Sequence, residues 1–326
     1  MKFIKNICFL IVFLSFFIAA KNIPEIYIFN GGDSICQNLK KINYKFISGV
    51  QVIYKWRDLE PRKGHYNFKP INKDITCLKK IHKKLFIQLQ DRTFNINNIP
   101  VPDYILEKKY DYGIQKQTDN AGKNLKGVGW VTKQWNPNVN KRYSLLVEKL
   151  GSTFNKNFYV AGINLPETAI DVEIKNSSFC KKYFKTTPKN LSLIKKSFPS
   201  KQIIQYVNFF PCEWDNDHNY MNRLFKYAIA NKIGLGNPDT APFKNSQMKN
   251  SYPFFHKNKN LVFPIGVAVQ SPDYTYINLK THRKHTIKGL YNYSKNYLGS
   301  DIIFWDAQEP QYTKKVVPFL KSLSQY

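Results

Sequence analysis

Two carboxylates in this chain stand where a strand-like run gives way to a turn. Glu167 closes Ile163-Asn164-Leu165-Pro166-Glu167, and Asp239 closes Gly236-Asn237-Pro238-Asp239. Amides end further runs of the same kind at Gln90, Asn208 and Gln270, with Asp91 directly after the first. Tyr54, Trp56 and Trp305 add aromatic faces. A protonated carboxyl can pass its proton to a leaving oxygen while a second, ionised carboxyl attacks or activates water. Amides grip hydroxyls as both donor and acceptor, and flat rings stack on sugar faces. Such an inventory points to carbohydrate chemistry that needs no cofactor or metal. Other chemistries lack their residues. His82, His256, His282 and His285 show no metal-ligand spacing with carboxylates, and no Cys-x-x-Cys pair occurs. Neither a Gly-x-Ser-x-Gly elbow nor a Walker loop is found.

These residues meet only if a fold gathers the strand ends. Runs rich in Val, Ile, Phe and Tyr recur at 26–29, 50–56, 85–90, 159–165, 202–209, 233–236, 264–270 and 301–305, as strands buried on both faces do. Helical patterning fills 34–41, 72–83, 141–154, 191–198, 219–231, 287–298 and 314–322; a helix after the sixth strand is poorly marked. Eight strands alternating with helices predict an α/β protein, a single (β/α)8 TIM barrel over 21–326. The competing arrangement is a doubly wound open sheet, for which Gly31-Gly32-Asp33 after the first strand is a feeble Gly-rich turn. In a barrel the C-terminal strand ends face one cavity. A loop-rich excursion, 91–140, leaves that same face with Trp130 and Trp135, either as a wall or lid of the site or as a packed insertion.

One stretch is recognisable. Trp56-Arg57-Asp58-Leu59-Glu60-Pro61-Arg62-Lys63-Gly64-His65-Tyr66-Asn67-Phe68 resembles the W-x-x-L-E-P-x-x-G-x-Y-x-F segment that follows the second strand of clan A glycoside hydrolases. Within it Glu60 reads as structural, Pro61 and Gly64 as the turn, and Tyr66 and Phe68 as packing. The resemblance implies an acid/base glutamate at the end of the fourth strand, matched by Glu167 although the Asn-Glu dipeptide is broken. It also implies a tryptophan platform at the eighth strand, matched by Trp305, with Trp56 and Trp130 as further stacking surfaces. It departs at the seventh strand. There the family carries its glutamate nucleophile and this chain has Gln270, an amide that can hold a hydroxyl but cannot attack an anomeric carbon. The second carboxylate is then Asp239 by preference, or Asp273 or Asp91; otherwise the barrel binds carbohydrate without cutting it.

Composition sets the surroundings. With 43% hydrophobic and 22% charged residues, the chain is an ordinary globular one and not a disordered or fibrous one. Lys2 and Lys5 ahead of the apolar run 7–20 predict a secretory signal peptide over 1–20, hence a secreted or periplasmic protein with no transmembrane segment in the mature chain. Removing it lowers the net charge from +28 by two lysines to +26. The lysines are scattered rather than clustered, so no nucleic-acid partner is expected; attraction to acidic surfaces stays open. Cys8 falls in the signal. Cys36, Cys77, Cys180 and Cys212 remain, as two disulfides or as buried thiols, and oligomeric state is left open.

Overall fold

The computed structural model describes residues 23–119, 124–173 and 176–323. The expected signal segment, 1–20, lies outside them. Eight strands form the frame: β1 (Glu25–Phe29), β2 (Gly49–Lys55), β3 (Lys84–Gln90), β4 (Val160–Leu165), β5 (Gln202–Tyr206), β6 (Gly234–Asn237), β7 (Ile265–Val269) and β8 (Ile302–Asp306). Each pairs in parallel with its neighbours in sequence, and β8 pairs back onto β1 with Phe304 opposite Tyr27. The sheet is closed, which excludes the open doubly wound arrangement.

Helices cover the outside: α1 (Lys69–Lys79), α2 (Pro137–Phe154), α3 (Ser177–Ser197), α4 (Tyr220–Asn231), α5 (Asn245–Asn250), α6 (Tyr252–Asn258), α7 (Ile287–Asn292) and α8 (Val317–Leu323). Two depart from the sequence expectation. The first expected helix, 34–41, is only a 3-10 turn (Ile35–Gln37) and a helical turn (Leu39–Ile42), broken at Asn38, which leaves the helical region at φ −113°, ψ 14°. α3 starts far ahead of 191, where Asn176 caps it by accepting from the Phe179 N–H at 2.9 Å. Pro188 inside it had masked the first half of the pattern. After β6, where a helix is poorly marked in the sequence, there are two short ones. The excursion after β3 is an ordered three-stranded antiparallel sheet of Arg92–Thr93, Ile114–Asp119 and Asn124–Thr132. Disulfides join Cys36 to Cys77 and Cys180 to Cys212.

Successive side chains of a strand point to opposite faces. Val50, Val52 and Tyr54 of β2, Leu85, Ile87 and Leu89 of β3, and Ile303 and Trp305 of β8 join the core between sheet and helices. Tyr27, Phe86, Ile204, Tyr206, Ala268, Ile302 and Phe304 form a separate cluster that plugs the barrel interior. Phe86 meets Tyr27 and Phe304 edge-on, with ring centroids 5.0 and 5.2 Å apart. Gly162 makes room for that ring, since a Cβ there would lie 2.3 Å from it. Beyond the plug the inward positions turn polar. Gln51 Nε2 donates to the Tyr206 hydroxyl at 3.0 Å, and Gln88 Nε2 to Gln90 Oε1 at 3.3 Å.

Candidate active site

The polar layer opens into a cavity of about 170 Å³ at the C-terminal mouth, lined by Gln88, Gln90, Arg92, Phe94, Glu167 and Gln270 among others. β4 alternates Asn164 inward and Leu165 outward; Pro166 then ends the strand and Glu167 follows into the mouth. Asn208, two residues past the end of β5, holds this carboxylate. Its Oδ1 accepts the backbone N–H groups of Ala169 (2.9 Å) and Phe209 (3.0 Å). That orients the amide so that Nδ2 donates to Glu167 Oε2. Burial pushes the Glu167 carboxyl up to about 7; the Asp239 charge adds to this, while Arg92, Asn208 and Lys244 hold it back.

Asp239 follows Pro238, which lines the cavity at the end of β6. Its backbone N–H donates to Asn237 Oδ1 at 3.0 Å, its carbonyl accepts the Tyr252 hydroxyl at 3.0 Å, and its Oδ2 accepts from Gln247 Nε2 at 3.3 Å. Burial raises its carboxyl above the ordinary aspartate range, against the pull of Lys244 and Gln247. Asp239 does not itself line the cavity, but its charge acts on Glu167. Among the described residues no three His, Cys, Asp or Glu side chains converge as a metal ion would require.

The remaining candidates divide by face and depth. Gln90 and Gln270 line the mouth, and Gln270 Nε2 donates to the Pro238 carbonyl at 2.8 Å, tying the ends of β7 and β6 together. Asp273 is fully buried; its Oδ2 accepts the backbone N–H groups of Thr240 (2.9 Å) and Gln270 (2.8 Å). Burial and then the Asp239 charge push it up to about 8, so it braces these strand ends rather than facing a ligand. Asp91 lies in a small chamber behind Glu167, accepting from Gln134 at 2.9 Å and facing Arg92 at 3.8 Å.

Three expected contacts are corrected. Tyr54 faces outward from β2 and donates its hydroxyl to Asp74 at 2.7 Å. Trp56 is wholly buried, its indole donating to Glu60 at 2.9 Å and meeting Tyr143 edge-on. Trp305 is also wholly buried on the outer face of β8, parallel to Tyr274. None of the three can stack on a sugar in the mouth: Tyr54 and Trp305 sit on the outward parity of their strands, and Trp56 opens the helical turn Trp56–Leu59, packed into the core. Trp130 donates its indole N–H to the Ile96 carbonyl at 2.8 Å and does not line the mouth. Phe29, Phe94 and Tyr206 line it, and of these Phe94, from the loop after β3, is the most exposed, at 62%. Phe94 and the inward amides Gln51 and Gln88 went unread. The amides were visible as polar residues alternating with aliphatics in Val50-Gln51-Val52 and Ile87-Gln88-Leu89; Phe94, on an irregular loop, carried no such signal.

Glu60 is structural, as its segment suggested. It is buried and accepts from Trp56, from the Gly64 N–H at 2.9 Å and from the Arg142 guanidinium. Gly64 takes a positive φ of 77° in the turn, and Tyr66 stacks on Phe68.

No family model and no curated protein sequence matches the chain. Solved structures do. The catalytic domain of a β-amylase from Paenibacillus polymyxa superposes with a TM-score of 0.64 at 10% identity, covering 93% of this chain and 98% of that one. A β-galactosidase from Marinomonas ef1 gives 0.59 at 8% identity, over 92% of this chain and 59% of its own length. A psychrophilic family 10 endo-β-1,4-xylanase gives 0.52 at 11%, over 87% and 86%. The fold is a closed (β/α)8 barrel, the fold of these solved enzymes. At these identities the likeness is one of fold, and any reading of what this barrel does rests on its own mouth, where Asn208 holds Glu167.

Proposed function

We propose that the protein is an exported glycoside hydrolase acting on a polysaccharide or oligosaccharide through two carboxyl groups, Glu167 and Asp239. The observation that carries this reading is Glu167: at the end of β4, in the barrel mouth, fixed by Asn208, with its carboxyl pushed up to about 7. A carboxyl that keeps its proton near neutrality is suited to protonate a glycosidic oxygen. Asp239 serves as nucleophile or as the base that activates water; ionisation of either carboxyl opposes that of the other, which favours one protonated and one ionised group. Gln90, Gln270 and the neighbouring amides Gln51 and Gln88 hold sugar hydroxyls, and Phe94 offers the stacking face. Two disulfides support an oxidising compartment, in keeping with the signal-like start of the chain.

A second reading, a barrel that binds carbohydrate without hydrolysis, is favoured by Gln270, the amide at the end of β7. Reducing-sugar release from a panel of polysaccharides, set beside calorimetric binding of the same sugars, separates the two. Release by the wild type that is lost in a folded Glu167→Gln supports the hydrolase. Binding without release on every substrate leaves the second reading standing.

A further inference from the structure

The loop after β7 carries a feature that the barrel mouth does not use. From Tyr274 to Ser300 the chain has no Asp or Glu, and within that stretch lie Lys280, Arg283, Lys284, Lys288 and Lys295. Part of it folds as a two-stranded antiparallel hairpin, Ile277–Asn278 against Arg283–Lys284. Asn278 builds the tip. Its Oδ1 accepts the N–H groups of Lys280 (2.9 Å) and Thr281 (3.2 Å), and its carbonyl accepts that of His282 (2.8 Å). At the root, Lys244 stands 4.7 Å over the Tyr276 ring and Lys280 stands 4.3 Å over Phe243.

This ordered hairpin presents apolar side chains to solvent. Ile277, on the first strand, is 56% exposed, and Leu279, in the turn that follows it, 51%. Exposed aliphatics beside unopposed cations make an unusual surface for a monomeric protein. An acidic glycan would satisfy the cations but has nothing to set against two aliphatic side chains. An anionic bilayer takes both: headgroup phosphates meet Lys280, Arg283 and Lys284, and the acyl boundary meets Ile277 and Leu279. We infer that the 277–284 hairpin docks the barrel on an anionic lipid surface, with the side of the mouth near Gln270 facing it. The inference does not depend on hydrolysis.

Vesicle flotation tests it, using phosphatidylcholine vesicles with and without phosphatidylserine. The wild type should float with the anionic vesicles only, and less so as salt rises. Ile277→Ser with Leu279→Ser should weaken that association by about tenfold or more; the sites are exposed, so circular dichroism and the thermal midpoint should not move. Lys280→Ser with Arg283→Ser and Lys284→Ser should weaken it too. Absence of flotation by folded wild type overturns the inference, as does equal flotation with neutral vesicles. Binding that survives the aliphatic pair but not the cationic triple marks a polyanion patch and overturns it as well.

Discussion

Glu60 and Glu167 both follow a parallel strand of the barrel, and both are withdrawn from water, yet they have opposite characters. Glu60 is enclosed by donors: the Arg142 guanidinium, the Trp56 indole and the Gly64 N–H occupy its oxygens. Glu167 has the Asn208 amide, a cavity in front of it and Asp239 close enough to oppose its ionisation. The first arrangement fixes a charge in place and spends it on holding a turn to α2. The second leaves a carboxyl poised between two protonation states. The sharply patterned segment of the sequence is therefore the scaffold, and the proposed general acid sits in the weakly patterned one.

The contrast can be broken most directly by exchanging the charge for an amide at each glutamate. Glu167→Gln should lower turnover by about 10²–10⁴-fold, the usual worth of a general acid, in initial-rate assays on any substrate that the wild type cleaves. Asp239→Asn should fall in the same range; an unchanged rate there would remove Asp239 from the chemistry. Glu60→Ala should act on stability, costing about 3–5 kcal/mol in denaturant unfolding because Arg142 is left without its partner, while the folded fraction keeps its turnover.

Glu167→Gln should in turn stabilise the fold above neutrality. The Glu167 carboxyl rises on folding to about 7, so the folded state resists its ionisation. Stability from this group is lost as pH climbs from the ordinary glutamate value through about 7. The amide removes that loss, a gain of at most roughly 3 kcal/mol visible as a higher thermal midpoint at pH 8 than the wild type has. The same value sets the alkaline limb of the turnover profile, which should fall as pH passes about 7. Asn208→Ala, which removes a donor favouring the ionised form, should move that limb to higher pH. The smallest effect is expected at Phe94→Ala: a severalfold rise in KM with little change in kcat, from loss of about 0.5–1.5 kcal/mol of stacking.

Much of the architecture could be read in advance. Eight apolar β-rich runs alternating with helices are a local pattern that favours a closed parallel sheet, and the pairing of β8 with β1 decides closure over the open alternative. The position of Glu167, just past the end of β4, and the structural role of Glu60 were legible for the same reason. Tyr54 and Trp305 were misread because a one-residue difference in strand parity moves a side chain from the barrel mouth to the helix layer, and Trp56 because β2 ends one residue before it, in a helical turn. Composition does not carry that parity when both faces of a strand are buried. In β2 and β8 apolar residues occupy inward and outward positions alike, as Ile53 beside Tyr54 and Phe304 beside Trp305 make plain.

By itself, then, the sequence determined the count and order of the elements, the Trp56–Phe68 turn and the amide and carboxyl residues at strand ends, because those depend on short-range hydrophobic period and turn chemistry. Only the tertiary structure decided which of them share a cavity. Glu167 owes its raised carboxyl to burial and to the charge of Asp239, set against the pull of Arg92 and Lys244; all three arrive from other strands and loops. Desolvation and Coulomb interaction depend on distance in space, and a closed barrel makes that distance nearly independent of separation along the chain.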